Sequence, residues 1–155
     1  MFITFEIPHN DCVNISNFVY QEKDNWEKDL KNVKSLTSGF NPDYQFLHDI
    51  GDFVIENILP KVNNSHKWKK STWWVNYYQK FNWTKLHHHQ PEEYSLIIII
   101  KPAINNCLYF MINDKKQHVE EKEGFAILFK SDALHGVDKV KSDRITVAMD
   151  FVPIL

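Results

Sequence analysis

The segment Tyr94-Ser95-Leu96-Ile97-Ile98-Ile99-Ile100 decides the fold. A strand with one wet face alternates apolar and polar residues. From Leu96 to Ile100 there is no alternation, so this strand must be covered on both faces. The run is five residues long, too short to cross a bilayer, and Pro91 and Pro102 bracket it. Further strands are predicted at residues 72–79, 106–112, 125–129 and 144–151, with Asn113-Asp114, Gly124 and Gly136 as breakers between them. An opening strand at residues 1–7 alternates Phe2, Thr4 and Glu6 against Ile3, Phe5 and Ile7 and ends at Pro8.

Helices are expected only toward the N-terminal side. Between residues 43 and 59, Leu47, Ile50, Val54 and Ile58 recur at three and four, with Asp49, Asp52 and Glu56 opposite. Asn41 reads as its N-cap, Pro42 as its first residue and Pro60 as its stop. A shorter helix is predicted over residues 22–33, with Trp26, Leu30 and Val33 inward. The expectation is one domain: helical and strand support over residues 1–70, and an antiparallel sandwich or jelly-roll core over residues 71–155.

Composition narrows the function classes. The chain has 155 residues, 43% of them apolar and 14% aromatic, enough for a packed core and too apolar for disorder. A net charge of −2 gives no general attraction to nucleic acid. The cluster Lys67-Trp68-Lys69-Lys70 reads as a solvated lysine face. Cys12 and Cys107 stand far apart with no CxxC spacing, which fits reduced, buried thiols. No signal peptide or membrane span is read, so the expected location is the cytoplasm, a host's cytoplasm if the gene is phage-borne. The substrate and the oligomeric state are left open.

Chemistry concentrates in histidines and one arginine. Residues i and i+2 of a strand point to the same face, so His87 and His89 can reach one ion. His135 follows the 125–129 strand after a short turn that returns it to the same opening. Neutral imidazole suits iron, zinc, copper or nickel. The chain has 18 basic residues, and Arg144, nine positions after His135, is the sole arginine among them. A planar fork grips a flat carboxylate in fixed orientation, which an ammonium does poorly. Asn76 and Tyr78 alternate onto one strand face, either lining a pocket or as ordinary strand polarity. Trp73, Trp74, Trp83 and Phe81 form either a substrate wall or core.

Residues 74–151 resemble the Fe(II)/2-oxoglutarate-dependent oxygenases, in particular a small phage and bacterial group. The matching pieces are Trp74-Val75-Asn76, His87-x-His89 with Ser95 beyond it, residues 123–131, Leu134-His135-Gly136-Val137 and Asp143-Arg144-Ile145-Thr146. The resemblance implies a double-stranded β-helix, which is a jelly roll, and an oxygenase that hydroxylates a C–H bond. It implies Fe(II) held by His87, His89 and His135, and 2-oxoglutarate gripped by Arg144, with Thr146 as hydroxyl partner and Asn76 and Tyr78 nearby. The departure is His89, where most of the superfamily carries Asp or Glu; either His89 ligates or Glu92 or Glu93 swings in. His88 should face away. The rival is a cupin-type three-histidine dioxygenase needing no 2-oxoglutarate. His87, His89 and Glu93 follow the first cupin pattern, although Phe81 replaces its glycine, and Lys130 and Asp132 break the second. The third class is a non-catalytic jelly-roll binding module.

Overall fold

A computed structural model describes residues 2–28 and 33–155. Two antiparallel sheets face each other, and helices cover the outer face of the larger one. The larger sheet runs β1 (Phe2–Glu6), β10 (Phe125–Lys130), β7 (Tyr94–Lys101), β12 (Arg144–Ile154), β5 (Lys67–Tyr78), β4 (Leu36–Thr37), β2 (Glu27–Lys28). The smaller runs β3 (Val33–Lys34), β6 (Trp83–His87), β11 (His135–Val137), β8 (Leu108–Ile112), β9 (Lys115–His118). From β5 onward, apart from the β8–β9 hairpin, successive strands alternate between the sheets. That alternation makes the jelly roll.

The unbroken apolar run behaves as its pattern requires. β7 is buried along residues 94–100. Leu96, Ile98 and Ile100 pack with helix residues Cys12, Ile15, Val19, Leu47 and Val54. Ile97 and Ile99 face inward with Leu108, Phe110 and Val137 of the smaller sheet. β12 is buried on both faces too, but its faces differ. Ile145, Val147, Met149 and Phe151 join the helix-side core, while Arg144, Thr146, Ala148 and Asp150 lie on the alternate face, between the sheets.

The N-terminal helices differ from expectation. Helix α1 spans His9–Glu22, and the chain continues in a 3-10 turn, Lys23–Asn25, then β2. The predicted helix over 22–33 is therefore corrected where it is described; residues 29–32, Leu30 among them, lie outside the described residues. α1 hides its signal because Cys12, Ile15 and Val19 are spaced correctly but are weak helix formers among asparagines. Helix α2 is Gln45–Asn57, preceded by Tyr44. Asn41 is not its cap: it sits at φ 59°, where a short amide side chain is tolerated. Its Oδ1 accepts from Trp73 N at 3.0 Å and its own N–H donates to Trp73 O at 2.8 Å, so it satisfies the backbone of β5 midway along that strand. Pro60 does not stop the chain's helicity but lies in the first turn of α3 (Leu59–Val62). Among the described residues no helix is long and apolar enough to cross a membrane.

Candidate functional site

A cleft of about 380 Å³, open mouth included, lies between the sheets. Backbone register assembles its walls. β12 pairs with β5 so that Arg144 opposes Tyr78, Thr146 opposes Asn76 and Ala148 opposes Trp74. All six side chains line the cleft, as do His87, His89 and His135. His135 opposes His87 across the β6–β11 pair. Gly136 permits this close packing: a Cβ there would meet Tyr109 Oη at 2.5 Å and Thr84 O at 3.1 Å.

The three imidazoles converge. One nitrogen from each lies within 4.8 Å of the others, and ring centroids are 4.4 Å apart for His87 and His135 and 4.9 Å for His89 and His135. Each Nδ1 is already engaged. His87 Nδ1 donates to Lys85 O at 2.7 Å, His135 Nδ1 to Ala133 O at 2.9 Å, and His89 Nδ1 to Asp150 Oδ1 at 2.8 Å. Nδ1 therefore carries the hydrogen, and Nε2 keeps its lone pair for the centre. His87 Nε2 and His89 Nε2 are 3.0 Å apart. Two facing lone pairs repel at that distance, and a proton or metal ion between them removes the repulsion. This donor set fits a divalent transition metal.

Burial drives His135 down to about 3, and its histidine neighbours His87 and His89 add to the effect. Burial also lowers His87, partly offset by the Lys85 carbonyl. Both rings are thus neutral at pH 7, as ligation requires. The same shifts predict acid lability of the metal-free protein. An unfolded histidine takes up a proton near pH 6.5, whereas folded His135 refuses it until about pH 3. Stability is therefore fully present above 6.5 and falls as pH drops toward 3, by about 1.4 kcal/mol per unit from His135. His87 acts with the same sign. Urea melts should show a lower midpoint at pH 5 than at pH 7, with much of the difference removed in His135→Asn. Equal differences in both proteins would contradict this.

The arginine is held as a tool. Its side chain is 1% exposed, and Nε donates to Glu121 Oε1 at 2.8 Å. The other oxygen of Glu121 accepts from the backbone N–H of Cys107 at 2.6 Å and of Leu108 at 2.8 Å. Among the described residues, Nη1 and Nη2 of Arg144 have no partner, nor does Asn76 Oδ1. Buried guanidinium N–H groups are rarely left so; the two unpartnered nitrogens of a cleft-lining arginine fit one carboxylate. Glu121 escaped sequence reading because it sits in the charge run 120–123, indistinguishable there from solvated surface. Two other acids of this part of the chain are engaged elsewhere: Asp143 accepts from Tyr77 Oη at 2.6 Å, and Asp150 accepts from His89.

The remaining expectations divide. Glu92 accepts from Ser71 Oγ at 2.6 Å, and Glu93 pairs with Lys130 at 3.3 Å on a half-exposed edge. Neither belongs to the convergent group, which counts against a swung-in carboxylate and against the cupin pattern's glutamate. His88 is exposed, as expected. Of the proposed aromatic wall only Trp74 lines the cleft, its ring edge-on to Phe40, which is 72% exposed. Trp73 instead donates to Pro42 O and lies under the Lys70 ammonium. Phe81 and Trp83 are surface residues, neither wall nor core. Cys12 and Cys107 are free and buried.

Neither a family model nor a curated protein matches the sequence. Solved structures do. A Pseudomonas putida prolyl-4-hydroxylase is 10% identical, with 99% of this chain and 93% of that chain covered and a TM-score of 0.78. The viral collagen prolyl hydroxylase of Paramecium Bursaria Chlorella virus-1, in its 2-oxoglutarate complex, is 15% identical over 97% and 94%, at 0.76. HygX from Streptomyces hygroscopicus, with nickel and 2-oxoglutarate bound, is 9% identical over 99% and 83%, at 0.75. At such identities the likeness establishes a shared fold, that of the 2-oxoglutarate-Fe(II) oxygenase structures.

Proposed function

We propose that this chain is an Fe(II)- and 2-oxoglutarate-dependent oxygenase that hydroxylates a C–H bond, with His87, His89 and His135 holding the metal. The observation that carries the reading is the pairing, in one cleft, of three convergent Nε2 atoms with a buried arginine whose Nη1 and Nη2 lack protein partners. A metal-binding module alone would not need the second feature, and a cupin-type dioxygenase would leave it without a purpose. Iron(II), when bound, would supply oxygen-activating redox chemistry, and 2-oxoglutarate the electrons, as it is decarboxylated to succinate and CO₂.

The chain's own residues supply binding, orientation and dryness. His87, His89 and His135 present Nε2 donors whose tautomers are set by Lys85 O, Asp150 and Ala133 O. Arg144, a residue of the cleft lining, would receive the far carboxylate of the cosubstrate through Nη1 and Nη2, because Glu121 occupies only Nε and leaves those two without protein partners. Thr146 and Asn76, paired across β12 and β5, offer a hydroxyl and an amide beside it. Tyr78 is buried, its Oη bonded to Thr84 Oγ1 at 2.6 Å. Its ring lies 5.0 Å from the guanidinium carbon, walling the charge from water. Ile97, Leu108 and Val137 close the rest with apolar surface. The test is turnover: the iron-loaded protein, given oxygen, should convert 2-oxoglutarate to succinate, even slowly without its prime substrate. Stoichiometric iron binding with no affinity for 2-oxoglutarate would favour the cupin reading, and no stoichiometric metal the binding module.

A further inference from the structure

We propose that Asp150 delivers to the metal site, through the ring of His89, the negative charge that a coordinating carboxylate would otherwise bring. This rests on the metal-site reading above. Among the three rings, His89 alone sets its Nδ1 on a charged acceptor; His87 and His135 use backbone carbonyls. Asp150 is 5% exposed, and among the described residues its one ion-pair partner is His89. A buried carboxylate without a cation is costly. A divalent ion on the far nitrogen of that same imidazole is the cation the arrangement fits.

The carboxylate is also fixed in place. Ser95 Oγ donates to Asp150 Oδ1 at 2.6 Å, and Ser131 Oγ lies 2.8 Å from Ser95 Oγ. In register Asp150 opposes Ser95 on β7 and Thr72 on β5. Thus one face of β12 carries Arg144 at its start, in the cleft lining, and Asp150 six residues on, behind His89. The His89 ring polarised by Asp150 becomes a stronger donor than its two neighbours. Asp150 is a positioning residue, acting on the ion through His89.

The experiment compares wild type with Asp150→Asn, which keeps shape and removes charge. Three quantities are read on folded protein: Fe(II) affinity, 2-oxoglutarate affinity of the iron-loaded site, and the Fe(III)/Fe(II) reduction potential. The expected result is a ten- to hundred-fold loss of Fe(II) affinity, a raised potential, and 2-oxoglutarate binding that is equal or tighter, because less negative charge faces a dianion. General damage to the site would instead weaken both ligands, which would overturn the assignment, as would unchanged Fe(II) affinity and potential. Should Asp150→Asn not fold, the double variant His89→Asp/Asp150→Asn decides: metal affinity near wild type supports charge delivery, and affinity no better than His89→Ala overturns it. Wild-type protein that binds no iron would fail the functional reading itself, whereas wild type binding iron and 2-oxoglutarate beside an indistinguishable Asp150→Asn fails only this inference.

Discussion

His135→Ala is expected to abolish stoichiometric metal binding while leaving the fold intact. Zinc sites with four ligands are worth about 10–16 kcal/mol, so each ligand contributes about 2.5–4 kcal/mol, or about two to three orders of magnitude in affinity. Removing the buried imidazole also removes a bond to Ala133 O, but the ring's burial already kept it neutral, so no charge is stranded. His89→Ala should release metal to a similar extent. Glu92→Gln and Glu93→Gln should retain it, since those carboxylates are occupied by Ser71 and Lys130. Metal content after dialysis reads all four variants. Retention in His135→Ala would remove that residue from the ligand set and with it the iron reading; loss in either glutamine variant would restore a carboxylate ligand.

The second large effect belongs to the Glu121–Arg144 pair. Arg144→Lys keeps the charge, but one ammonium cannot serve Glu121 and a cleft carboxylate together as Nε and the Nη pair can. Losing a charge-assisted bond in a closed pocket costs about 1.5–3 kcal/mol, or about ten- to a hundred-fold in 2-oxoglutarate affinity. Iron affinity should barely move. Glu121→Gln attacks the other side. It leaves a fully buried guanidinium beside a neutral amide, and breaking a buried pair in this way costs about 3–5 kcal/mol of folding stability. Chemical denaturation should therefore separate the two variants, with Glu121→Gln losing stability and Arg144→Lys losing chiefly cosubstrate. Equal loss of iron and 2-oxoglutarate in Arg144→Lys would recast the arginine as a structural residue.

What could be read in the sequence was whatever periodicity carries. The β7 run announced a doubly covered strand, and His87-x-His89 announced two rings that converge, although not by strand period, since β6 ends at His87 and His89 lies just beyond it. The alternation Arg144, Thr146, Ala148, Asp150 placed four side chains on one face of β12, although only its first half was read as functional. Contacts made by the fold itself were hidden. Glu121 meets Arg144 across 23 residues of sequence, and nothing in Glu120-Glu121-Lys122-Glu123 marks one acid as buried. Asp150 was visible as an acid amid Ala148, Met149 and Phe151, a composition that signals a buried charge, but its partner His89 is 61 residues away. The short strand β11 and α1 were missed for a local reason: three residues are too few for a period, and α1 is built from weak helix formers.

The central claim is that one cleft holds both a metal and a 2-oxoglutarate carboxylate, and anaerobic titration of the metal-free protein with Fe(II) and then 2-oxoglutarate tests it most directly. The predicted result is one iron per chain, followed by a weak visible charge-transfer band that saturates at one 2-oxoglutarate and is shifted to higher concentration in Arg144→Lys. Iron binding with no such band at saturating 2-oxoglutarate, or a band indifferent to Arg144, would contradict it.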